Sequence, residues 1–121
     1  MKTSVIIPVY NHQDAIVHVV EALKPFGLPC YLVNDGSSPQ CSAVLKRIAE
    51  QEKDWITLYE RDQNGGKGAA VIDGLQLAIA GGFSHAIQID ADGQHRLSDI
   101  GRFLAASEQD PDKLILGKPH F

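Results

Sequence analysis

Residues 30–39 read Cys30-Tyr31-Leu32-Val33-Asn34-Asp35-Gly36-Ser37-Ser38-Pro39. The apolar run Cys30 to Asn34 has the composition of a short buried strand. Ser38-Pro39 then gives an N-cap followed by proline at the first helical position, where its missing N–H costs nothing. The helix it opens turns Val44, Leu45 and Ile48 inward. Strand, polar turn and helix in direct succession form the unit from which parallel sheets are wound. The rest of the chain repeats that unit.

Working outward, further strands are expected at Ser4 to Pro8, Ile56 to Glu60, His85 to Asp90 and Leu114 to Leu116. Most are apolar on both faces, as suits strands covered by helices on either side. Asp14 to Lys24 places Ile16, Val19, Val20 and Leu23 on one helical face, and Pro25 ends it. Gly68 to Ala80 carries Val71, Ile72, Leu75 and Ile79 at helical spacing, with Gly81-Gly82 as a stop. Ser98 can cap a last helix presenting Ile100, Phe103 and Leu104. No repeat or linker interrupts the pattern, so one α/β domain is expected over residues 1–121. Its architecture would be a Rossmann-like, mostly parallel sheet with helices on both faces.

Composition narrows the function. An apolar share of 44% across 121 residues is too high for a disordered segment. No uninterrupted apolar run approaches the roughly 20 residues of a membrane span, so a soluble, cytoplasmic chain is expected. A net charge of -4 argues against binding nucleic-acid backbones. Cys30 and Cys41 are too few for a disulfide framework and lack metal-site spacing, so both are read as packing residues. Trp55 is read as packing at a strand entrance, and the histidines show no mutual spacing of a metal cluster.

Ligands of such sheets gather at the carboxyl ends of the strands. Four loops there are polar or glycine-rich. In Ile89-Asp90-Ala91-Asp92-Gly93-Gln94-His95 two carboxylates stand two residues apart. They would repel unless a cation lies between them or one takes a proton. Mg²⁺ or Mn²⁺ would suit, since these ions bind one or two carboxylates plus substrate phosphates, and Gln94 could add a neutral oxygen. The plainer alternative is a strand-end cap followed by a turn. In the second loop, Asp35 can accept hydrogen bonds from a base or ribose, and free amides at the helix start suit an anion. The third, Asn64-Gly65-Gly66-Lys67-Gly68, has glycines for close backbone approach and a lysine for charge, yet matches neither a Walker A loop nor a dinucleotide fingerprint. The first, Pro8-Val9-Tyr10-Asn11-His12, offers a ring and a carboxamide for stacking on a base and fixing it.

Together these four segments, in this order, resemble the nucleotide-sugar-binding half of family 2 glycosyltransferases with a GT-A fold. The form Asp90-Ala91-Asp92-Gly93-Gln94-His95 looks most like the branch containing dolichyl-phosphate mannose synthases and related polyprenyl-phosphate glycosyltransferases. The resemblance implies a metal-dependent hexosyltransferase acting on a UDP- or GDP-linked sugar, inverting at the anomeric carbon. Pro8, Tyr10, Asn11, Asp35, Lys67, Asp90 and Ala91 would contact the donor. Asp90, Asp92 and Gln94 would hold Mn²⁺ or Mg²⁺, His95 would support that site, and Asp92 would be the catalytic group. The acceptor would be a polyprenyl phosphate or a glycan at the cytoplasmic face of the membrane, and a homo-oligomer is allowed.

Two departures stand out. His12 occupies a position where several members of the family carry an acidic residue, and only residues 96–121 follow His95. The end at Phe121 is therefore read as a cut that removes the acceptor half, leaving a donor-binding part. Two rivals remain. One is a non-catalytic nucleotide-binding or assembly module. The other is a haloacid-dehalogenase-like phosphatase, with Asp90 as nucleophile and Asp92 as acid and base. A calcium loop fails, because His95 and Gly101 stand where it needs Gly and Glu.

Overall fold

The computed structural model describes residues 2–91 and 115–117. Strands β1 (Thr3–Val9), β2 (Cys30–Asn34), β3 (Ile56–Glu60), β4 (His85–Gln88) and β5 (Ile115–Gly117) alternate with helices α1 (Ala15–Leu23), α2 (Pro39–Gln51) and α3 (Lys67–Ala80). All strand pairings are parallel, in the order β3-β2-β1-β4-β5. The chain thus winds outward from β1 in one direction, then returns past it to build the other half. The switch point lies between β1 and β4, where such sheets bind ligands.

Helices cover both faces, as the sequence predicts. Val5, Ile7, Val9 and Leu32 face α1 and α2, meeting Ile16, Val19, Val20, Leu23, Leu45 and Ile48. Ile6 and Val33, one residue out of phase, face α3 and meet Ala70. Period-two alternation in strands buried on both sides explains why β1 and β2 read as continuous apolar runs. The Ser38 hydroxyl accepts from the Cys41 N–H and caps α2, with Pro39 at its first position. A one-turn 3₁₀ segment, Lys24–Phe26, ends α1 around Pro25. There Lys24 Nζ pairs with Glu52 at 3.0 Å. The hydrogen bond lifts the lysine above its ordinary pKa and holds the glutamate below its own.

One face differs from expectation. Val71 is buried on α3, but Ile72 and Ile79 are 56% and 59% exposed and Leu75 is only partly covered. The buried stripe is Ala70, Val71, Gly74 and Ala78. A Cβ on Gly74 would overlap the Ile6 side chain. The helix therefore lies against β1 through its small residues, and backbone proximity outweighs side-chain size. β4 ends at Gln88 rather than Asp90, and β5 is shifted one residue from Leu114–Leu116. The helix expected after Ser98 lies outside the described residues. Cys30 and Cys41 are free and buried, and burial pushes the Cys30 thiol up. Trp55 is part-buried at the start of β3, its indole N–H donating to Glu52 at 3.2 Å. No helix among the described residues is long and apolar enough to cross a membrane.

Candidate nucleotide-binding cleft

Proline 8 begins the site. The Val5 N–H donates to Pro29 on the β2 side, so alternation would turn an N–H at position 8 toward β4. Proline has none to give. The ladder between β1 and β4 stops at Ile6 and Gln88, and beyond it a cleft of about 340 Å³ opens. This volume lies within the usual range for small-molecule sites. The end of β1 and the segments that follow β1, β2, β3 and β4 all contribute to its wall, through Pro8 and Tyr10, Asp35, Asn64 with Gly66 and Lys67, and Asp90 with Ala91.

Asp35 is the most constrained of these. It is 3% exposed, and its Oδ1 accepts the Gly65 N–H at 2.9 Å and faces Arg61 Nε at 3.0 Å. The backbone is fixed as well: its N–H donates to Val9 and its carbonyl accepts from the Asn64 amide at 3.0 Å. Gly36 follows with φ +69, in the left-handed region, and a Cβ there would come within 2.5 Å of Asn64 N. Glycine is required for both reasons, because the second and third loops touch at this point. Arg61 also pairs with Asp73 of α3 and donates to the Ala69 carbonyl at 3.3 Å. Neither Arg61 nor Asp73 was singled out from the sequence, and no local motif marks them.

Also on the cleft wall, Lys67 in the first turn of α3 forms a salt bridge with Asp90. The Gln88 amide donates to the same carboxylate oxygen at 3.3 Å. Gly66, at φ 91, caps α3 without a side chain, so the cap residue itself offers the leading N–H groups of that helix no side-chain acceptor. An anion is favoured there by those groups and by the helix dipole.

Of the residues expected at the site, Pro8, Tyr10, Asp35, Lys67, Asp90 and Ala91 line the cleft. Asn11 does not. At φ 57 it turns its side chain to the next loop, where Oδ1 accepts the Ser38 N–H at 2.7 Å while its own N–H donates to the Ser37 hydroxyl. It braces the turn that presents Asp35. His12, Val9 and Asn64, none of them named as a contact residue from the sequence, join the lining. Asp92, Gln94 and His95 lie outside the described residues. Among the described residues no three His, Cys, Asp or Glu side chains converge as a metal site. Asp90 presents a hard carboxylate that already attracts one cation, Lys67. That donor chemistry fits a divalent ion shared with substrate phosphates, which takes few protein ligands.

Comparison with known proteins is consistent with this arrangement. The family model described as "Glycosyl transferase family 2" matches residues 4–121. The polyprenol monophosphomannose synthase of Mycolicibacterium smegmatis is 28% identical over 94% of this chain and 44% of its own length. A UDP-N-acetylglucosamine–dolichyl-phosphate N-acetylglucosaminyltransferase of Methanococcus voltae is 30% identical over 93% and 49%. An undecaprenyl-phosphate 4-deoxy-4-formamido-L-arabinose transferase of Pectobacterium carotovorum is 30% identical over 90% and 34%. The chain spans less than half the length of each of these relatives.

Proposed function

The chain belongs to glycosyl transferase family 2, and from that premise we propose that its cleft binds the nucleoside diphosphate of a UDP- or GDP-linked sugar, for transfer of the sugar to a polyprenyl-phosphate acceptor. The observation that carries the reading is that a buried carboxylate, Asp35, and an ammonium-bearing side chain, Lys67, line the same cleft. A base needs an acceptor for its N–H groups, and a diphosphate needs positive charge. The cleft wall supplies both.

In this reading Asp35 accepts from the base, Pro8 and Tyr10 flank the nucleoside, and Lys67 with the leading amides of α3 faces the diphosphate. Asp90, with Asp92 and Gln94, would hold Mg²⁺ or Mn²⁺. Such an ion supplies Lewis-acid stabilisation of the negative charge that develops on the leaving diphosphate. The protein's own part is to fix the donor so that its anomeric carbon is open to the acceptor from the opposite face, as inversion requires. The family match favours sugar transfer over the phosphatase alternative.

Calorimetry with UDP and with GDP, each with and without Mn²⁺, tests the reading. Metal-dependent binding of one of them, weakened by Asp92→Ala, is expected. No binding of either nucleotide in the presence of metal would overturn it. Binding without any transfer to a polyprenyl phosphate would leave a nucleotide-binding module.

A further inference from the structure

A guanidinium facing a carboxylate ordinarily closes on it as a two-pronged fork, one N–H to each oxygen. Arg61 does not do so with Asp35. Its Nε faces Oδ1 at 3.0 Å, buried yet not aligned for a hydrogen bond, while Nη1 is committed to Asp73 and to the Ala69 carbonyl. The Gly65 N–H meets the same Oδ1. Both contacts to the Asp35 carboxylate thus fall on one oxygen. Leaving a buried Nε poorly aligned is costly, and the charge that pulls the guanidinium the other way is Asp73, which shares Nη1 with the Ala69 carbonyl.

We propose that Asp73 is a positioning residue for base recognition: by holding Nη1 of Arg61 on α3, it prevents the guanidinium from capping both oxygens of Asp35 and so keeps Oδ2 for the N–H of a nucleoside base. Asp73 does not line the nucleotide cleft. It acts through Arg61, across 38 positions of sequence from Asp35. Without its charge the guanidinium is drawn wholly to Asp35 and closes the fork. The base then competes with an internal ion pair for the same oxygen. The diphosphate end, at Lys67 and Asp90, is unaffected.

This inference rests on the nucleotide reading above, and the test separates the two. Calorimetry compares the wild type, Asp73→Asn and Asp73→Glu, using UDP and GDP as base-bearing probes and inorganic pyrophosphate as the baseless one. In Asp73→Asn the affinity for the preferred nucleotide is expected to fall about tenfold, with pyrophosphate unchanged. Asp73→Glu, which keeps the charge, is expected to restore most of the loss. In an Arg61→Gln background the effect of Asp73→Asn is expected to vanish. Equal weakening of nucleotide and pyrophosphate, or no weakening of either, would overturn the positioning role while leaving the nucleotide reading intact. If Asp73→Asn does not fold, failure of Asp73→Glu to bind nucleotide like the wild type would overturn it instead. A wild type that binds no nucleotide would overturn both.

Discussion

Lys67 and Asp90, both on the cleft wall, pair with each other and tie the first turn of α3 to the segment that follows β4. The pair joins the two loops that the proposed diphosphate would touch. A substrate phosphate would therefore compete with Asp90 for the lysine, and a divalent ion would compete with the lysine for Asp90.

Replacing Lys67 with Met removes the charge and keeps the stem. UDP or GDP affinity is expected to fall about ten- to a hundredfold, the scale of a charge-assisted hydrogen bond. Affinity for the free nucleoside should not change. Calorimetry with nucleoside and nucleoside diphosphate in parallel checks the split, and equal losses would show that the lysine serves the fold.

Gly36 cannot carry a side chain. Its φ of +69 lies in the left-handed region, and the added Cβ would press on the backbone of Asn64 rather than on a yielding side chain. Gly36→Ala is expected to cost about 2–4 kcal/mol, combining strain with overlap. Denaturant unfolding measures it, and nucleotide affinity should drop too, since Asn64 holds the Asp35 carbonyl.

How much of this was legible beforehand follows the range of the interactions. The bounds of β2 and β3, the Ser38-Pro39 start of α2 and the inward face of α1 depend on neighbours along the chain, and the sequence predicts them as found. On α3 the large apolar residues at helical spacing and the buried face differ, because periodicity weighs large apolar residues, whereas this helix approaches β1 through its small ones, Gly74 closest. The cleft's residue types were recognisable one loop at a time. Arg61 and Asp73 were not, since their meaning comes from Asp35, which only the sheet topology brings alongside.

The two thiols provide a check on the core. Cys30 and Cys41 are buried, and burial keeps Cys30 protonated well above the usual thiol range. Neither is expected to react with an aromatic disulfide reagent at pH 8 in the native state, and both should react on unfolding. Rapid native reaction of either would contradict the packing of β2 against α2.

Acidification offers another. Glu52 is held below its ordinary value of 4.5, mainly by the Lys24 hydrogen bond and then by the Trp55 indole. A carboxylate lowered in the folded state adds stability above its unfolded pKa and loses it as pH falls through the folded value. The wild type should therefore melt about one or two degrees above Glu52→Gln at pH 7, as for an exposed pair. The difference should shrink as pH falls below 4.5 and close once it has passed through the lowered folded value. Melting curves of the two proteins across that range decide it.

The central claim is that a nucleoside diphosphate sits between Asp35 and Lys67. Its most direct test is the change in backbone amide chemical shifts when UDP or GDP is added with Mg²⁺. Saturable shifts centred on Gly36, Gly65, Gly66 and Ala91, absent in Asp35→Ala, are the expected result. Shifts confined to other surfaces, or none at millimolar nucleotide, would contradict it.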